Sequence, residues 1–258
     1  MLLTDYEREG FNQEIDRIYS ERVSTPAEEK HYECLKCKDT GFIQVQDECG
    51  REVSRKCDCG EVRRVRKLME KSGISREFQK KKFEDFETRD IPQLVKAKDK
   101  AVRYLQSFED IESQRRNSIM FCGQPGSGKT HLGVAICSGL MNRGIAVAYM
   151  PYRNAVTKIK QNMTDEERYS EMLGQYMKAR VLYIDDLLKG KLTEADVNIV
   201  YEIVNYRYMN NLPLIVSTEK NLNELVEFDE AVASRLIEMS RENIATLHGK
   251  ELNYRIYS

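Results

Sequence analysis

The run Gly123-Gln124-Pro125-Gly126-Ser127-Gly128-Lys129-Thr130 fits G-x-x-x-x-G-K-[ST] at every fixed position. Glycines at this spacing let a backbone curl until several N–H groups point at one anion. Lys129 then supplies a point charge for the outer phosphates of a nucleoside triphosphate, and the Thr130 hydroxyl a ligand for Mg²⁺. His131, next in the chain, is counted with the loop as a binding residue. A second constellation is Val181-Leu182-Tyr183-Ile184-Asp185-Asp186, an apolar stretch that ends in two carboxylates. Asp185 can hold Mg²⁺ through water, and Asp186 can orient or deprotonate an attacking water. The third is a pair of thiol pairs, Cys34-Leu35-Lys36-Cys37 and Cys57-Asp58-Cys59, separated by nineteen residues. A hairpin that closed them on each other would present four soft ligands to a tetrahedral Zn²⁺. Because Cys-x-Cys is the less usual spacing, Cys49 or His31 could replace one of the four.

These groups need elements to hold them. Ser118-Ile119-Met120-Phe121-Cys122 reads as a buried strand entering the glycine run, and a helix rich in Ala, Leu and Ile leaves it. The start of that helix adds its positive dipole end to the same anion site. From about residue 90 onward strand and helix signals alternate. Helices are expected over 96–108, 129–143, 152–162, 165–179 and 193–210, and strands over 118–122, 145–150, 181–184, 214–216 and 244–247. Near-continuous apolar strands alternating with helices predict a parallel five-stranded sheet covered on both faces. A strand end carrying Asp185-Asp186 is where such a sheet places its ligands. Cys122 and Cys137 fall on an apolar strand and helix and are expected in the core.

The remaining sequence divides by texture into an N-terminal module over 1–60, a helical linker over 61–90 and the alternating domain over 91–258. The first has Phe11, Ile15, Ile18 and Tyr19 at helical spacing before Pro26, then five of the seven cysteines. The linker opens with a basic stretch and carries Phe78, Phe83 and Phe86, aromatics expected to pin it to the following domain. A net charge of −1 over 258 residues gives no global attraction for nucleic acid, so such contact must be local. Tyr152, Arg153, Lys158 and Lys160 on one helix are a candidate single-strand patch. No apolar run approaches the roughly 18 residues that span a bilayer, and the N-terminus lacks a signal-peptide pattern. A cytoplasmic protein without a membrane partner is expected, and there seven cysteines do not imply disulfides.

The loop, the Asp185-Asp186 strand, Leu214-Ile215-Val216-Ser217-Thr218-Glu219 and Ala233-Ser234-Arg235-Leu236 together resemble the AAA+ ATPases. More narrowly, with Ser72-Gly73-Ile74 and Tyr206-Arg207-Tyr208, they resemble the DnaC/DnaI replicative helicase loaders, phage members included. The resemblance covers roughly residues 65–258. It implies ATP, Mg²⁺ and slow hydrolysis, with Asp186 where most AAA+ enzymes have Glu. It places a γ-phosphate sensor at Thr218, with Glu219 a departure from the usual Asn. Arg235 becomes an arginine finger for a neighbouring subunit, and Arg255 a sensor of the subunit's own nucleotide. The partners implied are a DnaB-type hexameric helicase, single-stranded DNA and further copies of the chain. An IstB-like transposition helper and a non-catalytic ATP-bound adaptor are the alternatives.

Overall fold

The computed structural model describes residues 32, 34–46, 50–57, 59, 60, 63 and 76–257. The expected N-terminal helix with Phe11, Ile15, Ile18 and Tyr19, most of the basic stretch after residue 60, and both His31 and Cys49 lie outside these. The chain separates into two compact units, Met1–Cys59 and Gly60–Ser258.

In the first unit, β1 (Phe42–Gln46) and β2 (Glu52–Lys56) form an antiparallel hairpin with Phe42 opposite Lys56 and Gln46 opposite Glu52. Among the described residues of this unit only Cys37 and Cys57 are buried. A two-stranded ribbon with so little apolar cover is marginal by itself, so its ends need a cross-link.

The second unit is a five-stranded parallel sheet. Its strands are β3 (Ile119–Gly123), β4 (Val147–Pro151), β5 (Val181–Leu187), β6 (Leu214–Thr218) and β7 (Ile244–Leu247), in the order β4-β5-β6-β3-β7. Every residue of β3 and β6 is buried. The pleat sends alternate side chains to opposite layers. Ile119, Phe121, Val181, Tyr183 and Ile215 pack with α2 (Pro92–Ile111) and α3 (Lys129–Asn142). Met120, Cys122, Leu182, Ile184 and Val216 pack with α4 (Tyr152–Gln161), α6 (Glu194–Met209) and α8 (Glu230–Ser240). Cys122 and Cys137 are fully buried. The short α1 (Arg76–Gln79), α5 (Glu166–Met177), α7 (Leu222–Phe228) and α9 (Tyr254–Tyr257) complete the helices with assigned bounds.

Helix starts follow local chemistry. Asp165, Asn221 and Asp229 each accept a backbone N–H of the first turn they precede. Thr193 and Asp196 form a reciprocal capping box at α6. Elements exceed their expected bounds at several ends. β5 runs on through both aspartates to Leu187, because its pairing with β6 slips between Ile184 and Leu187. That bulge falls on Asp185-Asp186 and re-aims both carboxylates.

Candidate functional site

The glycine run joins β3 to α3 at the edge of a cavity of about 310 Å³. Gly126 and Gly128 take left-handed backbone angles, φ 76° and 85°. A Cβ on Gly126 would lie 2.1 Å from Asn253 Oδ1, and one on Gly128 2.5 Å from Phe86 Cε2. A side chain at either position is strained by the backbone angle, and on Gly128 it would also run into the buried Phe86 ring. Pro125, Gly126, Ser127, Gly128, Lys129, Thr130 and His131 line the cavity. Gly123 and Gln124 stand behind it, their carbonyls each accepting from Lys129 Nζ at 2.7 Å. The Gln124 side chain clasps both the N–H and the carbonyl of Gly249, tying the loop to the segment after β7. Burial pushes the Lys129 ammonium below its ordinary value, while Glu219 and Asp186 pull it back up.

Asp185 is the hub of the site. Its Oδ1 accepts from the hydroxyls of Thr130 (3.0 Å), Tyr183 (2.6 Å) and Ser217 (2.5 Å), and its Oδ2 from Tyr149 (2.9 Å). Burial first, and the carboxylate second, hold the Tyr183 phenol well above its usual range, so it remains a donor. Asp186, at φ 56°, turns instead into the cavity, its N–H held by Ser217 Oγ at 2.9 Å. Lys189 Nζ bridges Asp186 Oδ2 at 2.8 Å and Glu219 Oε1 at 2.9 Å. Thr130 with Asp185 behind it could hold Mg²⁺ against phosphates cradled by the loop, and the glycine geometry fits a bound triphosphate.

Thr218 is a correction. Its hydroxyl donates to Leu187 O at 2.9 Å and accepts from Lys220 N at 3.1 Å, wholly buried and away from the cavity. Strand alternation decides this: Ser217 faces Asp185, Thr218 faces the opposite side, and the cavity receives Glu219. Arg255 does line the cavity. Arg235 does not; Asn205 Oδ1 (3.1 Å) and Ala231 O (2.7 Å) hold its guanidinium, which lies 5.4 Å from the rings of Tyr201 and Tyr208.

Sequence reading missed the far wall. Phe86 is buried, edge-on to His131 at 5.4 Å, and His131 Nε2 lies 2.8 Å from Lys82 O. Arg89 donates to Glu251 O at 2.8 Å and sits over the Tyr254 ring at 5.8 Å. The aromatics of the linker had pointed to this docking, but not to its position beside the glycine run.

In the first unit the sulfurs of Cys34, Cys37, Cys57 and Cys59 lie within 4.8 Å of one another. Cys34 and Cys57 are 3.8 Å apart, Cys37 and Cys59 3.2 Å. A tetrahedral site with metal–sulfur bonds of about 2.3 Å has edges of roughly 3.8 Å, so the cluster could hold a metal ion with little adjustment. Burial raises the Cys37 thiol, but hydrogen bonds from Cys59 and the Gly41 backbone outweigh it and bring it to about 6. The hydrogen bond with Cys37 holds the Cys59 thiol up in turn, so of this coupled pair it is Cys37 that is drawn toward the thiolate a metal requires.

The sequence profile of the family described as "IstB-like ATP binding protein" matches residues 49–240, taking in the glycine run, both aspartates and Arg235. The chain belongs to this IstB/DnaC-like AAA+ family. Phage-like element PBSX protein XkdC of Bacillus subtilis (strain 168) is 37% identical over 242 residues, 90% of each chain. Replicative helicase loader DnaC of Escherichia coli (strain K12) is 27% identical over 177 residues, 67% of this chain and 69% of that one. The crystal structure of DnaI shares the fold, with a TM-score of 0.57 at 22% identity, covering 68% of this chain and 94% of that chain. The matched family is one of ATP-binding proteins. No helix among the described residues is long and apolar enough to cross a membrane.

Proposed function

We propose that this AAA+ protein is a cytoplasmic, ATP-driven loader that binds a DnaB-type hexameric replicative helicase and places it on single-stranded DNA. The observation that carries the reading is a cavity lined by Lys129, Thr130, Asp186 and Arg255 at the glycine run, on a chain similar over 177 residues to a replicative helicase loader. Lys129 and the loop N–H groups bind the phosphates; Thr130, with Asp185 behind it, would hold Mg²⁺, and the metal would spread the phosphate charge. Asp186 takes the proton of the attacking water. An aspartate reaches less far than a glutamate, so turnover is slow and ATP serves as a switch.

Arg235 stands outside its own cavity, which supports a role in a neighbour's site and hence self-association through the AAA+ domains. Residues 1–60, with Zn²⁺ on Cys34, Cys37, Cys57 and Cys59, form the helicase grip; 61–90 are a linker and 91–258 the ATPase domain. Of the expected single-strand patch, Arg153, Lys158 and Lys160 offer a strand spaced cations, whereas Tyr152 is buried in the core and offers no ring for stacking.

Pull-down with candidate replicative helicases, with and without ATP and with residues 1–60 deleted, tests this. Capture that disappears with the deletion is expected; no capture under any condition overturns it. The family match keeps an IstB-like transposition helper as the second reading. That protein would show strand-stimulated hydrolysis with no helicase bound, whereas a non-catalytic adaptor, using ATP only to hold a partner-binding shape, would show no stimulated hydrolysis.

A further inference from the structure

Lys189 lines two cavities. In the ATP cavity its ammonium sits between Asp186 and Glu219, at 2.8 and 2.9 Å. An ammonium at that distance takes up an acceptor position on Asp186 that an attacking water would otherwise use. The second cavity, of about 70 Å³, lies between α4 and the start of α6. That is room for about one phosphate-sized group and too little for a base, given that one water needs roughly 10–15 Å³.

The second cavity has the features of a built anion site. Arg153, Lys160, Lys189 and Lys191 line it, against one carboxylate, Asp196, which pairs with Lys160 at 3.0 Å. Tyr152 also lines it, only 2% exposed, and its hydroxyl has no partner among the described residues. A buried hydroxyl without a partner is costly, and an oxyanion would satisfy it.

The connection between the cavities is a loop under strain. Asp186, Leu188 and Gly190 take left-handed angles, φ 56°, 60° and 95°. For Asp186 and Leu188 such angles are uncommon, and they gather at switch segments. Arg153 Nη1 donates to the Lys189 carbonyl at 3.4 Å, and a Cβ on Gly190 would lie 2.0 Å from the same nitrogen. A group that engages Arg153 therefore bears on the residue that guards Asp186.

We propose that Lys189 is a latch on ATP hydrolysis, released when a phosphate-type oxyanion in the second cavity draws its ammonium off Asp186 and Glu219. The inference rests on Asp186 as the base. Once freed, Asp186 accepts the proton as the water oxygen bonds the γ-phosphorus and the bond to the ADP oxygen breaks. Either a backbone phosphate of a nucleic-acid strand or a free oxyanion carries this chemistry.

Steady-state ATPase of the full chain tests it, with a single-stranded oligodeoxynucleotide or sodium sulfate as probe at matched ionic strength. Lys189→Met is expected to raise basal kcat about fivefold with KM unchanged, and to abolish stimulation by either probe. Lys189→Arg keeps low basal turnover and stimulation. Lys189→Gln replaces the Met variant should that fail to fold. Stimulation by the oligonucleotide alone assigns a strand phosphate as ligand, and stimulation by sulfate assigns a free oxyanion. A basal kcat that falls or stays level in Lys189→Met overturns the latch, as does a wild type that neither probe stimulates. Hydrolysis undiminished in Asp186→Asn overturns the underlying reading of the base, and is seen independently of Lys189.

Discussion

The Thr130 hydroxyl donates to Asp185 Oδ1 across 3.0 Å, joining the first turn of α3 to the bulged end of β5. Three more hydroxyls, from Tyr149, Tyr183 and Ser217, converge on the same carboxylate. The phosphate loop and the carboxylate strand are thus one hydrogen-bonded unit with a single side chain, Asp185, accepting at its centre.

Replacing that acceptor is expected to cost stability as well as binding. Asp185→Ala leaves buried donors without an acceptor and should lower unfolding free energy by about 3 kcal/mol. Asp185→Asn keeps one acceptor oxygen and should lose less. Urea unfolding and Mg²⁺-dependent ATP affinity measured on both variants check this; an Ala variant as stable as wild type would refute the hub.

Arg235 should matter only in trans. Arg235→Ala is expected to keep ATP affinity while losing roughly 1000-fold in kcat, the range for an arginine finger. Mixing it with Asp186→Asn should restore partial hydrolysis, because one mixed interface carries both intact residues. Two inactive variants that stay inactive together would exclude a shared site.

The purified protein is expected to carry one zinc per chain on the four cysteines. Metal affinity should fall as pH drops, since protons compete for the thiolates. Elemental analysis and chelation followed by circular dichroism measure this. Zinc far below one equivalent would rule the site out.

Arg207 is fully buried, and its guanidinium donates to the carbonyls of Tyr176, Met177, Ala179 and Pro213. Burial brings its pKa down to about 9, yet it stays charged at neutral pH. Arg207→Met should cost about 3 kcal/mol by orphaning the carbonyls at the end of α5. Denaturant titration reads this directly, and ATP affinity should change little.

Asp196 gives a pH signature. Burial raises its pKa, but Thr193 and Lys160 outweigh that and hold it below the usual value. A carboxylate depressed in the fold stabilises above its unfolded pKa, about 3.9, and that stability is lost as pH falls through the folded value. The stability difference between wild type and Asp196→Asn should therefore be flat near pH 6 and shrink below about pH 4. A difference unchanged down to pH 2 would contradict it.

Contiguous chemistry was legible from the residue order alone. The glycine run, the strand ending in Asp185-Asp186, the alternation that makes a parallel sheet and the two thiol pairs are all local patterns. Local patterns survive folding because backbone geometry enforces them over a few residues. Three-dimensional closure decided the rest. Thr218 turns away from the cavity and Glu219 faces it, because successive side chains of β6 point to opposite faces. Phe86, Arg89 and Ser217 reach the site from segments far from the glycine run and from Asp186 in the chain, and only the packing of those segments brings them there. The chain order determined which chemistry is present, and the register and packing determined which side chains share it, since a single residue of register reverses a strand's faces.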